Sequence, residues 1–166
     1  MNCLSDLFVR YKLLLTILLR TGARISEALM LKQNDFDLAT RNITMITLKK
    51  NVRIDKMKEY AIRKLPKRVL PMHQELKDAT MAYFIDMHID SKSQDLLFPI
   101  SRITVDKYLT RMEKATGIKI NAHKFRHTFP VRCLLDGVPV NVLQKWLAHS
   151  SLIVTSVYAD VLSMDT

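Results

Sequence analysis

In the stretch from His123 to Tyr158, His123, Arg126, His149 and a phenol stand in a pattern suited to phosphoryl transfer. The order is His123-Lys-Phe-Arg126-His127-Thr-Phe, then Leu147-Ala-His149-Ser-Ser, then Tyr158. His123 and Arg126 lie three residues apart, so a helix carrying them would put both on one face. An imidazole and a guanidinium there supply donors to the non-bridging oxygens of a phosphate, and His149 adds another. Tyr158 supplies the nucleophile. A free phenol, with a pKa of about 10, attacks poorly at neutral pH, but arginines beside it favour the phenolate and the charge developing on phosphorus. Such a set suits phosphoryl transfer without a metal, and no cofactor is expected. Two other chemistries fit poorly. His123 and His127 have the spacing of a zinc-protease helix, but Lys124 stands where that helix needs a Glu, and its charge disfavours a cation. His127 is expected instead to be buried and hydrogen-bonded. A serine hydrolase would need a Gly-x-Ser-x-Gly elbow, and the chain has none.

A second cluster lies upstream, in Thr21-Gly22-Ala23-Arg24-Ile25-Ser26-Glu27. Taken alone, Arg24 reads as a surface ion pair with Glu27, and Tyr158 as a ring covering apolar surface. In this order and together, the two clusters resemble the C-terminal catalytic domain of the tyrosine recombinases, the phage-integrase family. The resemblance runs from about Leu7 to Val161. It implies that Arg24 and Arg126 clamp a scissile DNA phosphate, that His123 moves a proton to or from Tyr158, and that His149 donates to a non-bridging oxygen. It also implies a lysine on a β-hairpin that protonates the leaving sugar hydroxyl. Lys49 is the first choice for that role and Lys50 the rival, because a one-residue shift of register turns a strand's side chain to the other face. The product would be a 3′-phosphotyrosine that a 5′-hydroxyl can later attack.

Three departures accompany the resemblance. Ala148 replaces the usual Gly before His149. Pro130 falls where the family continues a helix with Ala, and is expected to kink it near the carbonyl of Arg126. No helical segment of the kind that encircles DNA precedes Leu7, so residues 1–166 are expected to be the catalytic domain alone, either excised or a shortened product.

The elements that must position these residues follow from periodicity and punctuation. Residues 7–20 read as a helix buried on most sides and closed at Gly22, and a short helix follows at about residues 24–31. Residues 34–38 read as a turn. Asn42 to Leu48 is a strand, answered by a returning strand from Arg68 to Pro71. The segment between them is a basic arm that includes Arg53. A helix from Met72 to about Ile89 turns Leu76, Ala79, Tyr83 and Met87 inward. A polar loop, Ser91 to Gln94, leads to Leu96-Leu97-Phe98-Pro99. The next helix is capped by Ser101 or Thr104 and closed by Gly117, with Val105, Tyr108, Leu109 and Met112 inward. Lys107, Arg111 and Lys114 on that helix, with Lys50, Arg53 and Lys124, are candidate DNA contacts. The expected fold is α+β, mainly helical with a small antiparallel β-sheet.

Composition agrees with this reading and narrows the alternatives. Lys and Arg number 26 against 16 Asp and Glu, a net charge of +10 that favours a polyanion such as double-stranded DNA. Cys3 and Cys133 are read as reduced thiols. The apolar run from Leu13 to Leu19 is too short to span a bilayer, so no membrane partner is expected. The expected setting is the cytoplasm, at the nucleoid, with self-assembly into a tetramer on DNA when the protein is full length. The rival functions are a DNA-binding relative with weak or no cutting and a type IB-like topoisomerase. The Tyr158 segment is expected to be mobile or displaced without DNA.

Overall fold

The computed structural model describes residues 3–48, 61–62, 64–89 and 94–147. Six helices stand among them: α1 (Cys3–Thr21), α2 (Ile25–Ala28), α3 (Gln74–Asp86), α4 (Arg102–Thr116), α5 (Ala122–Leu135) and α6 (Val140–Trp146). Strands β1 (Phe36–Asp37), β2 (Asn42–Ile46) and β3 (Lys67–Pro71) form an antiparallel sheet in the order β1-β2-β3. The mainly helical α+β class is therefore observed. Residues 34–38 are more than a turn, because Phe36 and Asp37 pair with Ile43 and Asn42 after a short 3-10 helix. A two-residue edge strand leaves too little alternation to be legible in sequence.

Helix α1 is the centre of the core. Tyr11, Leu13, Leu14, Ile17 and Leu18 are all buried, and the helix packs against both α3 and α5. Its apolar run is thus a core helix with neighbours on several sides. Helix α3 turns Leu76 and Tyr83 fully inward and leaves Ala79 and Met87 half-covered at the core's edge. The Tyr83 hydroxyl donates to the Leu97 carbonyl at 2.8 Å, and Leu97 N–H donates to Leu31 O at 3.0 Å, which fastens the Leu-Leu-Phe-Pro segment beside the end of α2. Ser101 caps α4 by accepting from Thr104 N–H, and Gly117 ends it in the left-handed conformation at φ +70°. Val105 and Leu109 face the core while Tyr108 stacks on Tyr11, with ring centroids 3.7 Å apart. Helix α5 spans Ala122–Leu135 through Pro130, which is buried, so the proline does not end the element.

The turn between α1 and α2 is the tightest point in the packing. Thr21 donates its hydroxyl to Ile17 O and accepts from Ala23 N–H, and Gly22 follows at φ +60°. A Cβ on Gly22 would stand 2.7 Å from Phe129 Cδ1 and 3.0 Å from Leu147 Cδ2. Gly22→Ala therefore meets backbone strain and a clash in a closed core at once. We expect a loss of roughly 2–4 kcal/mol in stability, read from the urea midpoint.

Candidate active site

Arg24 caps the N-terminus of α2 in extended conformation, immediately after the Gly22 turn. Its guanidinium Nη1 donates to Glu27 Oε1 at 3.0 Å, and its backbone N–H donates to Glu27 Oε2 at 3.0 Å. The ion pair read from the sequence is present, but it is not a surface pair. The Glu27 side chain is 0% exposed while that of Arg24 is 30% exposed. Glu27 also accepts from Leu48 N–H at 3.0 Å and from Arg68 Nη2 at 2.7 Å. Burial alone would raise the Glu27 pKa. Arg68's charge and hydrogen bond, with the backbone donors of Arg24 and Leu48, outweigh it and hold the carboxyl below its ordinary value.

Arg126 comes to the same place from α5. Its side chain is buried, with Nη1 donating to Gly22 O at 2.7 Å and Nη2 to Leu147 O at 2.9 Å. One guanidinium thus joins the turn that presents Arg24 to the end of α6, the residue before Ala148-His149. Burial and then the charge of Arg24 push the Arg126 pKa down to about 10, against a smaller opposing pull from Glu27. A cation this disfavoured, beside other guanidiniums, is a place where an anion is stabilised.

His123 lies in the first turn of α5, after Asn121 caps the helix by accepting from Lys124 N–H at 2.9 Å. It is exposed, and its ring meets His127 edge-on with centroids 4.3 Å apart. His127 is half-buried rather than buried, because the next turn of α5 shares His123's partly open side, and among the described residues its ring has no hydrogen-bond partner. Burial, followed by the charges of His123 and Arg126, holds its pKa below that of an ordinary imidazole. Lys124 Nζ donates to Lys119 O, and Lys107, Arg111 and Lys114 are exposed on α4, where Lys107 and Arg111 border a shallow groove with Ile103, Asp106 and Thr110.

The structure therefore brings Arg24 and Arg126 together and puts His123 on the helix that carries Arg126. Lys49, Lys50, Arg53, His149 and Tyr158 lie outside the described residues. So does the expectation of a displaced Tyr158 segment. Among the described residues, no cluster of His, Cys, Asp or Glu is arranged to hold a metal ion, and no helix is long and apolar enough to cross a membrane. Cys133 is a free thiol whose pKa burial, with Asp136 nearby, pushes up to about 11.

Two supporting residues escaped the sequence reading. Glu27 was legible only as a partner of Arg24, and Arg68 only as the first residue of the returning strand, next to the basic arm. The signal for Arg68 is parity: Arg68 and Leu70 share one face of β3, and that face is buried.

Comparison with known proteins agrees with this geometry. The chain is 29% identical over 160 residues to the tyrosine recombinase XerA of Thermococcus kodakarensis, an alignment covering 92% of this chain and 51% of that protein. Its fold matches the crystal structure of XerA recombinase with a TM-score of 0.67 at 25% identity, over 90% of this chain and 53% of the other. It also matches XerH site-specific recombinase bound to difH substrate, with a TM-score of 0.65 at 23% identity, over 96% of this chain and 44% of the other. The chain spans about half the length of these relatives. A family profile described as the phage integrase family matches residues 1–164, and with the two arginine-bearing segments joined through Arg126, the chain belongs to that family.

Proposed function

We propose that this chain is the catalytic domain of a site-specific recombinase that cleaves and rejoins double-stranded DNA through a 3′-phosphotyrosine at Tyr158. Arg24 and Arg126 neutralise the scissile phosphate, His123 exchanges a proton with Tyr158, and His149 donates to a non-bridging oxygen. Lys49 or Lys50 protonates the leaving 5′-oxygen. The exposed cations of α4, with Lys124 and the basic arm around Arg53, hold the duplex, and the active assembly is a tetramer on DNA acting at the nucleoid. The observation that carries this reading is the bridge from Arg126 to Gly22 O and Leu147 O, since it draws both signature segments to one point of excess positive charge. A cation-rich pocket fits the chemistry because the transition state spreads negative charge over the phosphate oxygens.

Pro130 gives a second reading some support. Without an N–H at that position the Arg126 carbonyl lacks its helical donor, in the very residue that clamps phosphate. On that account the chain binds DNA without cutting.

A nicked suicide-duplex library separates the two. We expect a denaturation-resistant protein–DNA adduct from the wild type and none from Tyr158→Phe. An adduct that survives in Tyr158→Phe, or a wild type that binds the library and yields none, contradicts the proposal.

A further inference from the structure

The phosphate-clamping reading gives roles to Arg24 and Arg126 and leaves a further arginine, itself buried, without one. Arg68 points inward from β3 and is 8% exposed. Its Nη2 donates to Glu27 Oε2 at 2.7 Å, and its Nη1 reaches Ile46 O and Thr47 Oγ1, each at 3.1 Å. Its Nε is buried with no hydrogen-bond partner among the described residues. Holding β2 to β3 does not require this buried cation, because the ladder already pairs the strands from Asn42–Pro71 to Ile46–Lys67. Burying a guanidinium is costly unless its charge is used. The use lies at Glu27.

A carboxylate offers about four lone-pair sites. In Glu27 each oxygen takes two donors. Arg24 N–H and Arg68 Nη2 meet Oε2, while Arg24 Nη1 and Leu48 N–H meet Oε1. With Arg68 on Oε2, the Arg24 guanidinium reaches only Oε1, through one nitrogen. The two-pronged grip that arginine commonly takes on a carboxylate is closed to it. The single negative charge of Glu27 is likewise divided between two guanidiniums, with that of Arg126 close by. Were Arg68 absent, Glu27 would match Arg24 one to one and draw its fork onto both oxygens. A guanidinium spent that way has less charge and fewer donors for a phosphate.

We propose that Arg68 is a positioning residue for Arg24: by occupying Oε2 of Glu27 it keeps Arg24 singly bonded and net positive, ready to receive an anion. The proposal rests on the phosphoryl-transfer reading of the site, and the experiment separates the two.

The rate of covalent adduct formation at saturating DNA is measured in a double-mutant cycle. Arg68→Met is expected to slow the wild type by about 30-fold or more, and an Arg24→Ala protein by less than about 3-fold, because Arg68 acts through Arg24. Glu27→Gln added to Arg68→Met should restore the rate to within about 10-fold of wild type, since a neutral partner no longer captures Arg24. Removing both buried charges together also protects the fold, so this pair remains informative should Arg68→Met alone not fold. An equal loss with and without Arg24, or no rescue by Glu27→Gln, overturns the proposal. If the wild type forms no adduct, the phosphoryl-transfer reading fails, and the same cycle is read from the rise in unfolding midpoint produced by inorganic phosphate. There Arg68→Met should diminish the rise only when Arg24 is present, and an unchanged rise overturns the proposal.

Discussion

Replacing Arg126 with Ala will slow strand cleavage by about 100- to 1,000-fold while changing folding stability far less than the loss of two buried hydrogen bonds suggests. The side chain donates to Gly22 O and Leu147 O, and charge-assisted bonds of this kind contribute roughly 1.5–3 kcal/mol each. Against that stands the cost of the charge itself. Burial and Arg24 lower the Arg126 pKa from its ordinary value to about 10, which corresponds to a folded-state penalty on the order of 3 kcal/mol at neutral pH. The two effects largely offset each other, so the urea midpoint of Arg126→Ala should move by no more than about 1–3 kcal/mol in stability. The sign with pH follows from the same shift. Between the folded value of about 10 and the higher value of an ordinary guanidinium, the unfolded chain binds more protons than the folded one. Stability from this group therefore rises with pH through that window, and at pH 7 the penalty is present in full. A variant with large losses in both properties would mean that Arg126 is mainly a structural tie.

Glu27→Ala has the opposite profile and should produce the largest loss of stability of any single change at the site. Removing the carboxylate leaves Arg68 as a buried cation without its counter-charge, a change that costs about 3–5 kcal/mol. The N–H groups of Arg24 and Leu48 lose their acceptor as well. Against a typical domain stability of about 5–15 kcal/mol, that is enough to unfold a substantial fraction of the protein near physiological temperature. Glu27→Gln keeps the shape and an acceptor oxygen and should lose less. The carboxyl's pKa is held below its ordinary value, so its contribution is present above the unfolded carboxyl pKa and is lost as pH falls through the folded one. Acid titration followed by circular dichroism should accordingly show the wild type weakening on the acid side in a way that Glu27→Gln does not.

Much of this arrangement was legible in the sequence because its signals are local. Gly22 and Gly117 stand where the chain takes positive φ, Ser101 caps the helix it precedes, and the apolar spacing of α1 and α3 marks the faces that pack. The pairing of Arg24 with Glu27 was legible too, as an (i, i+3) contact. Its burial was not, because that depends on Leu48, just past β2, and Arg68 of β3 closing over Glu27 from positions 21 and 41 residues away. Arg68 was hidden for the same reason. Within a run of lysines and arginines, only the partner that the fold supplies distinguishes a buried guanidinium from a solvated one. His127 illustrates the converse. Its place among chemical residues suggested a structural core histidine, whereas the helix leaves that side partly open and sets the two imidazoles against each other.

The central claim is that this cluster of arginines exists to neutralise the charge on a DNA phosphate. The most direct test compares Arg24→Ala with wild type on two substrates, one with an ordinary scissile phosphodiester and one whose scissile linkage is a neutral methylphosphonate. Arg24 is the better probe than Arg126, since it is partly exposed and ties no distant carbonyls together. On the ordinary linkage the variant should cleave about 100- to 1,000-fold more slowly than wild type. On the neutral linkage, where the charge it serves has been removed, it should come within about 10-fold of wild type. An equal defect on both substrates would contradict the account, because Arg24 would then be supporting the fold or the duplex rather than the charge on phosphorus.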